Sequence, residues 1–203
     1  MRPSESVGCE CFPCADVRHD RFGVPEVEVD PARIRIVLIS EAAPPEVADG
    51  YYAAGDPLFA RTTVQAFRDA GADVRTTADI VELGVYLTSA VKCAKTGYGI
   101  ATGTVKECSR LLERELDLFP NVRAYLLMGD VAIAAVNAIA VRSGAGRAIP
   151  AGSTYKIRGG TYTFRGARAF PSYLQAGPSF FIEKTKRAMI AQDIAAALEL
   201  ARA

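Results

Sequence analysis

The sequence has little imbalance of charge and no long hydrophobic run. Its 203 residues include 24 Lys and Arg and 23 Asp and Glu, which gives a formal net charge of +1. No overall positive field therefore indicates nucleic-acid binding, and such binding would need a local basic patch. No stretch of 18 or more apolar residues is present, and residues 1–8 lack the apolar core of a signal peptide. We therefore expect a cytoplasmic protein that does not enter a membrane.

Histidine is also scarce, and the glycine fingerprints of phosphate-binding loops are absent. The one histidine, His19, is expected to be an exposed loop residue and not a catalyst. The segment SGAGRA (143–148) follows a predicted helix instead of a strand, which excludes a dinucleotide-binding loop there. The length of the chain fits a single domain, spanning 1–203, with a core large enough to fold without cross-links.

Five cysteines are present, and their spacing is more informative than their number. Cys11 and Cys14 form a C-x2-C pair in a loop that contains proline, and Cys93 and Cys108 are separated by fourteen residues. Two pairs of thiols are typical of tetrahedral zinc or of an iron–sulfur cluster, whereas a disulfide framework is not expected in the cytoplasm. The alternative for Cys93 and Cys108 is that they are small core residues. Cys9 is a further candidate ligand.

Predicted strands and helices alternate along the chain. The strands are expected at 33–40, 84–91 and 123–129, with a further short strand within 72–78 and a hairpin over 161–170. The helices are expected at 58–71, at 104–119, from Asp130 (a candidate cap) onward, and at 179–201. This alternation predicts an α/β fold with a mostly parallel central sheet and helices on both faces. The chemistry is then expected beyond the carboxyl ends of the strands.

Several short motifs occur in a fixed order between residues 9 and 200. They are the C-x2-C pair, SEAAPP (40–45), PLF (57–59), YLTSAVKC (86–93) followed by Cys108, YLLMGDVAIAAV (125–136) and FPSYLQ (170–175). This order, together with the cysteine spacing, resembles the uracil-DNA glycosylase superfamily, and within it the iron–sulfur, family-four type. The resemblance implies a three-layer α/β fold and a protein that acts on damaged or uracil-containing DNA.

Proteins of this superfamily flip a nucleotide into a pocket and hydrolyse its N-glycosidic bond, so the resemblance implies a catalytic and base-binding set. Glu41 would be the catalytic carboxylate near the sugar; the alternative is a carboxylate that caps the loop or is solvated. Phe59 would stack on the base, with Tyr51 and Tyr52 as alternates and a core position as the other interpretation. The residues expected in the base pocket are Ala42, Tyr52, Phe59, Ser89 and Phe170.

The FPSYLQ segment would press into the DNA. Leu174, after Tyr173, would wedge between bases, and Ser172 would contact a phosphate. The alternative is that Tyr173 and Leu174 pack under the last helix. The basic residues that would neutralise phosphates include Lys92, Lys95, Lys156 and Arg158.

The resemblance also implies a structural [4Fe–4S] cluster and a monomeric protein. Cys11, Cys14, Cys93 and Cys108 would bind the cluster, and the cluster would tie the N-terminal segment 9–20 to the rest of the domain. Electron transfer is not expected, because the sequence contains no sign of a second redox centre.

Two residues depart from the pattern of the family. Ser89 replaces the Asn that reads uracil, and a hydroxyl cannot make the paired contacts of an amide. Phe170 replaces the His that opens the final motif. Two outcomes therefore stay open: a DNA glycosylase with an altered base preference, or an iron–sulfur protein that binds nucleic acid with little or no glycosylase activity.

Overall fold

The computed structural model describes residues 1–202 and contains a six-stranded sheet. Its strands are β1 (Val17–Arg18), β2 (Ile36–Ala43), β3 (Val85–Lys95), β4 (Ala124–Met128), β5 (Tyr162–Phe164) and β6 (Ala167–Ser172). The order across the sheet is β1-β3-β2-β4-β6-β5. The four central strands run parallel, and β1 and β5 pair antiparallel at the two edges. The prediction of a mostly parallel sheet is confirmed.

Helices cover both faces of this sheet. They are α1 (Leu58–Asp69), α2 (Thr77–Glu82), α3 (Thr102–Leu116), α4 (Asp130–Arg142), α5 (Thr154–Ile157), α6 (Ser179–Ile182) and α7 (Lys184–Arg202). Helices α3 and α4 pack on one face, and α1 and α7 pack on the other. The predicted α/β arrangement with helices on both faces is therefore confirmed.

The central strands are buried because both of their faces carry helices. In β2, Val37 and Ile39 belong to the core under α3 and α4, whereas Ile36 and Leu38 belong to the core under α1 and α7. This alternation follows from the period of two along a strand, and it explains why the segment reads as a continuous apolar run.

Strand β3 is longer than predicted and ends at Lys95 instead of Val91. Its last residues pair with β1, in the register Val17 with Lys95 and Arg18 with Ala94. The strand therefore carries Cys93 within the sheet, beside the N-terminal segment.

The short strand expected within 72–78 is wrong, because this segment begins helix α2. Thr76 Oγ1 accepts a hydrogen bond from the Asp79 N–H at 3.2 Å, and the Asp79 carboxylate accepts one from the Thr76 N–H at 2.8 Å. This reciprocal capping box satisfies two N–H groups at the start of the helix. The local β propensity of the segment is overridden by its cap.

Two smaller differences concern helix ends. Gly129, not Asp130, is the cap of α4, and the Asp130 carboxylate instead accepts a hydrogen bond from Thr154 Oγ1 at 3.2 Å. The final helix is divided into α6 and α7 at Glu183. Within residues 1–202, no helix combines the length and the apolar character needed to cross a membrane.

Candidate active site

Glu41 lies near the carboxyl end of β2, against the turn that connects β4 to α4. A Cβ atom on Gly129 would lie 2.6 Å from Glu41 Oε1, and Gly129 has a φ of +98°. Both facts require glycine at this position. The backbone N–H groups of Val131 and Asp130, at the N terminus of α4, lie close enough to the Glu41 carboxylate to stabilise its charged form. The strand–Gly–helix element therefore positions the Glu41 side chain.

Opposing influences act on the ionisation of Glu41. Burial raises the pKa of its carboxyl above the ordinary value, and the nearby Asp130 carboxylate adds to this increase. The Lys95 ammonium and the helix N–H groups oppose the increase, because they stabilise the charged form. The net result is a raised pKa, which brings the group closer to the range that a general base at neutral pH requires.

A cavity of about 260 Å³ opens beside the end of β2. Three of the residues predicted for the base pocket, Ala42, Tyr52 and Ser89, line it. Glu41 precedes Ala42 on the strand and does not itself form part of the wall. Most of the remaining wall comes from Tyr51 and the loop that precedes it, and from residues 21–26 of the N-terminal segment. Sequence reasoning missed residues 21–26 because that segment carries no recognisable motif.

Tyr51 and Tyr52 line the cavity, and their hydroxyl groups are hydrogen-bonded within the protein. The Tyr52 hydroxyl donates to the Leu87 carbonyl at 3.3 Å and accepts from the Leu87 N–H at 3.0 Å. Gln175 Nε2 donates to the Tyr51 hydroxyl at 2.9 Å. A flat, apolar wall of this kind suits the face of a nucleobase.

Ser89 is the polar side chain at the predicted base-reading position. Its hydroxyl donates to the Val91 carbonyl at 3.1 Å, and its side chain lies at the edge of the cavity. With its proton used in this way, the oxygen keeps its lone pairs and acts as a hydrogen-bond acceptor.

Phe59 and Phe170 do not line this cavity, and their roles in base binding stay predictions. The Phe59 ring packs on Tyr51, with 5.4 Å between the ring centroids, and is half-buried at the start of α1. Phe170 lies within β6 in the core under α1 and α7, with the Arg168 guanidinium 4.8 Å from its ring centroid. Phe59 therefore packs at the start of α1, and Phe170 packs within β6.

Ser172 and Arg158 are also used inside the protein. Ser172 is fully buried, and its hydroxyl donates to the Asp193 carboxylate at 2.6 Å. Arg158 forms an ion pair with the same carboxylate at 2.8 Å and donates to the Met189 carbonyl at 2.9 Å. These contacts hold α7 against β6 and α5, so neither side chain is free to meet a phosphate in this structure. A phosphate contact through the Ser172 backbone N–H, the other form of that prediction, stays a prediction.

The other residues predicted to meet DNA are more accessible. Lys156 is exposed on α5. Tyr173 and Leu174 are half-buried, follow β6 directly, and pack in part against the core under α1 and α7, with Lys186 Nζ 5.6 Å from the Tyr173 ring centroid. Their partial packing agrees with the alternative interpretation, although one side of each remains open to solvent.

Lys92 is not a surface base. It is fully buried and forms an ion pair with Glu115 of α3, which is also fully buried. Its ammonium donates to Thr88 Oγ1 at 2.8 Å and to the Ser89 carbonyl at 2.6 Å. The expected phosphate contact is therefore wrong, because this lysine supports the β3 backbone at Ser89 from the inside of the protein.

The cysteines are drawn together by β1, β3 and α3. Cys93 and Cys108 are buried, Cys9 and Cys14 are partly exposed, and Cys11 is exposed. Burial, together with the thiols of Cys108, Cys9 and Cys14, raises the pKa of Cys93 to about 12. Burial also raises the pKa of Cys108, to which Cys14 and Cys9 add. Cys11 is exposed whereas Cys9 is partly buried, so Cys9 competes with the predicted Cys11 as a candidate ligand.

The N-terminal segment is also held by direct contacts. The His19 side chain is exposed, as predicted, and its Nε2 donates to the Cys14 carbonyl at 2.7 Å. Arg114 of α3 donates to the Gly8 carbonyl at 2.8 Å. Across residues 1–202, no group of three His, Cys, Asp or Glu side chains is arranged to hold a single metal ion.

The fold and site together define an α/β protein that holds a carboxylate at the end of its first central strand, next to an aromatic-walled cavity. The family model of the uracil DNA glycosylase superfamily matches residues 27–194. The chain belongs to this superfamily, which confirms the superfamily resemblance.

A type-5 uracil-DNA glycosylase of Thermus thermophilus is similar to part of the chain. The two are 40% identical over 58 residues, which make up 29% of this chain and 26% of that protein. The chain thus matches about a quarter of the length of this relative. The more specific resemblance to the iron–sulfur, family-four type stays a prediction.

Proposed function

We propose that this protein is a DNA glycosylase that hydrolyses the N-glycosidic bond of a deaminated or damaged base flipped out of DNA. The observation that carries the proposal is the Glu41 carboxylate, held at the N terminus of α4 next to a cavity walled by Tyr51 and Tyr52. Membership of the uracil DNA glycosylase superfamily and the similarity to a type-5 uracil-DNA glycosylase support it.

The proposed reaction uses Glu41 to hold a water molecule and to stabilise positive charge. The bond from C1′ to the base nitrogen breaks, its electron pair leaves with the base, and the sugar develops oxocarbenium character. The water oxygen then bonds to C1′, and its proton passes to the Glu41 carboxylate. A fixed carboxylate near the sugar favours this transition state, because its charge opposes the charge that develops.

Ser89 supports a preference for a base that presents an N–H group at this point. The Ser89 oxygen is an acceptor, since its proton is donated to the Val91 carbonyl. The N–H groups of uracil, hypoxanthine and xanthine can each donate to it. A single acceptor discriminates less than the amide of an Asn, so we expect a broader range of bases than strict uracil excision.

The test is an excision panel on single-stranded and duplex DNA that carries one uracil, hypoxanthine or xanthine. We expect an abasic product from at least one substrate. Glu41→Gln should lower its rate of formation by about 10²- to 10⁴-fold, whereas Glu82→Gln, which alters an exposed carboxylate paired with Arg33, should leave it unchanged. Equal rates for Glu41→Gln and the wild type would remove Glu41 from the mechanism, and no abasic product from any substrate would overturn the proposed activity.

The second candidate is a nucleic-acid-binding protein of the same fold with little or no excision. The replacement of the expected base-reading Asn and His by Ser89 and Phe170 favours it. It predicts a salt-sensitive gel shift with damaged or single-stranded DNA in the absence of abasic product.

We further propose that Cys9, Cys14, Cys93 and Cys108 hold a structural [4Fe–4S] cluster in a protein that acts as a cytoplasmic monomer. Four thiols that influence one another's ionisation supply one sulfur ligand for each of four irons, and iron–sulfur clusters are held by cysteine thiolates. Each thiolate binds a different iron of the cluster, so the four sulfur atoms need not surround one point as the ligands of a single metal ion do. The bound cluster would fix the N-terminal segment, which provides part of the cavity wall, against β3 and α3.

Colour and composition test this cofactor. Anaerobically purified protein should be brown and should contain iron and acid-labile sulfide. Cys9→Ser should lose most of both, whereas Cys11→Ser, which changes an exposed cysteine two residues away, should keep them. Colourless protein with zinc would contradict the cluster, and loss of colour in Cys11→Ser alone would restore Cys11 as the ligand.

A further inference from the structure

The loop between β3 and α3 exposes an aromatic side chain that the site described above does not use. Tyr98 has a relative exposure of 103%, the highest among the large hydrophobic residues of the part of the chain that the structure describes. It lies between Gly97 and Gly99, and a Cβ on either glycine would meet nothing within 4 Å. The ring makes no packing contribution to the fold, so both of its faces are free to contact a ligand.

The ends of this loop are braced, although its tip is free. The Thr96 N–H and hydroxyl both donate to the Asp16 carbonyl, at 3.1 Å and 2.9 Å. The Ala101 N–H donates to the Asp16 carboxylate at 2.6 Å, and the Thr104 hydroxyl donates to the same carboxylate. One residue of the N-terminal segment thus joins both ends of the loop and fixes where Tyr98 is presented.

The loop begins at the same edge of the sheet as the candidate active site. Lys95, the last residue of β3, is close enough to Glu41 for its ammonium to favour the charged carboxylate. Lys95 Nζ also donates to the Tyr98 carbonyl at 3.3 Å and is exposed. The residue that carries the exposed ring is therefore hydrogen-bonded through its carbonyl to an exposed cation, and this cation follows the point where the ends of β2 and β3 pair, Ala43 with Ala94.

We propose that Tyr98 stacks on a base of the bound DNA strand that stays outside the cavity, with Lys95 facing the backbone phosphates. This inference rests on the proposed function, since it takes DNA as the partner. Aromatic rings next to basic side chains bind single-stranded nucleic acid in this way, because every base offers a π-face and every nucleotide a phosphate. The braced ends reduce the conformational freedom that the loop loses on binding.

The absence of tryptophan permits a direct test by fluorescence. Tyr98→Trp creates a protein with one tryptophan, and stacking on a base should quench its emission when a single-stranded oligodeoxynucleotide containing the excised base is added. Val141→Trp is the matched control, since Val141 is 56% exposed near the end of α4 that points away from Glu41. Its emission should not change.

Affinity gives an independent readout. Tyr98→Ala should weaken binding of the same oligonucleotide by about 5- to 150-fold, the range for loss of one stacked base, and Tyr98→Phe should retain most of the affinity because stacking does not need the hydroxyl. If wild-type protein binds and excises while Tyr98→Ala binds equally and the tryptophan at position 98 is not quenched, the inference is overturned and the proposed function stands. If wild-type protein neither binds nor excises, the proposed function fails and the inference fails with it.

Discussion

At the scale of single residues, the balance of charges around Glu41 determines what the site can do. Burial and Asp130 favour the protonated carboxyl, whereas Lys95 and the N–H groups of Asp130 and Val131 favour the carboxylate. Burial is the largest of these influences, so the pKa of Glu41 is raised. A carboxylate with a raised pKa is a stronger base, but on acidification it becomes protonated at a higher pH than an ordinary glutamate does.

This balance predicts the pH dependence of excision. The reaction needs ionised Glu41, so its rate should fall on acidification at a higher pH than the ordinary glutamate pKa of 4.5. Lys95→Met removes a cation that lowers the pKa, and it should therefore move the acid limb to still higher pH. Single-turnover rates with saturating enzyme would measure this limb, and Lys156→Met, which changes an exposed lysine on α5, is the control. An acid limb that Lys95→Met leaves in place would contradict the assignment.

At the scale of elements, the turn between β4 and α4 connects three parts of the site. Gly129 lies under the Glu41 carboxylate, and its N–H donates to the Ser172 carbonyl of β6 at 3.0 Å. Ser172 in turn holds Asp193 of α7. Residues from the final motif therefore act on the site through the backbone of this turn.

Substitution of Gly129 should disturb catalysis more than stability. Gly129→Ala would place a Cβ 2.6 Å from Glu41 Oε1 and displace the carboxylate, and misplacement by about 1 Å costs roughly 100-fold in rate. Gly144→Ala, after the other end of α4, is the matched control, since its φ is also positive, at +81°, and its Cβ would meet nothing within 4 Å. Gly144→Ala should lose roughly 1 kcal/mol of unfolding free energy, measured in urea, because alanine disfavours positive φ, and Gly129→Ala should lose about 1 to 3 kcal/mol, because its φ of 98° and ψ of 168° lie in a region open essentially only to glycine. Equal excision rates for the two variants would show that the turn does not position Glu41.

At the scale of the whole molecule, a buried polar cluster joins the sheet to α3. The Glu115 carboxylate accepts from the Tyr86 hydroxyl at 2.7 Å and from Thr88 Oγ1 at 3.0 Å, and it pairs with Lys92. A buried pair of this kind stabilises the fold only while both charges and their hydrogen bonds are present. The cluster lies directly beneath Ser89 and next to Cys93, so it supports both the cavity and the cysteines.

Removal of one partner should therefore destabilise the protein strongly. Glu115→Ala leaves the Lys92 ammonium buried without its carboxylate and should lower the unfolding free energy by about 3 to 5 kcal/mol, a large share of the roughly 5 to 15 kcal/mol typical of domains. Glu82→Ala, which breaks an exposed pair with Arg33, should change it little. The double variant Lys92→Met with Glu115→Leu should lose less than Glu115→Ala, since no charge is left buried. Equal losses for Glu115→Ala and Glu82→Ala in urea unfolding would contradict this account.

Local patterns predicted most of the secondary structure. The apolar runs of β2, β3 and β4 indicated buried strands because helices cover both of their faces, and the period of α7 placed Ile190, Ile194, Ala197 and Leu198 in the core. The same reasoning failed at Thr76, where the capping box starts a helix, and at the end of β3, where pairing with β1 extends the strand. In both cases a hydrogen-bonding partner determined the structure more than the composition of the segment.

The amino-acid sequence by itself determined the α/β class, the order of the motifs and the position of Glu41 at the end of the first central strand, because these depend on periodicity and spacing along the chain. Only the tertiary structure decided which polar side chains face the site. It turned Lys92, Arg158 and Ser172 inward to buried carboxylates and left Tyr98 free at the tip of a braced loop. The physical reason is that these outcomes depend on partners far away in sequence, such as Asp193 for Ser172 and Glu115 for Lys92, whose proximity exists only once the sheet and its helices have packed.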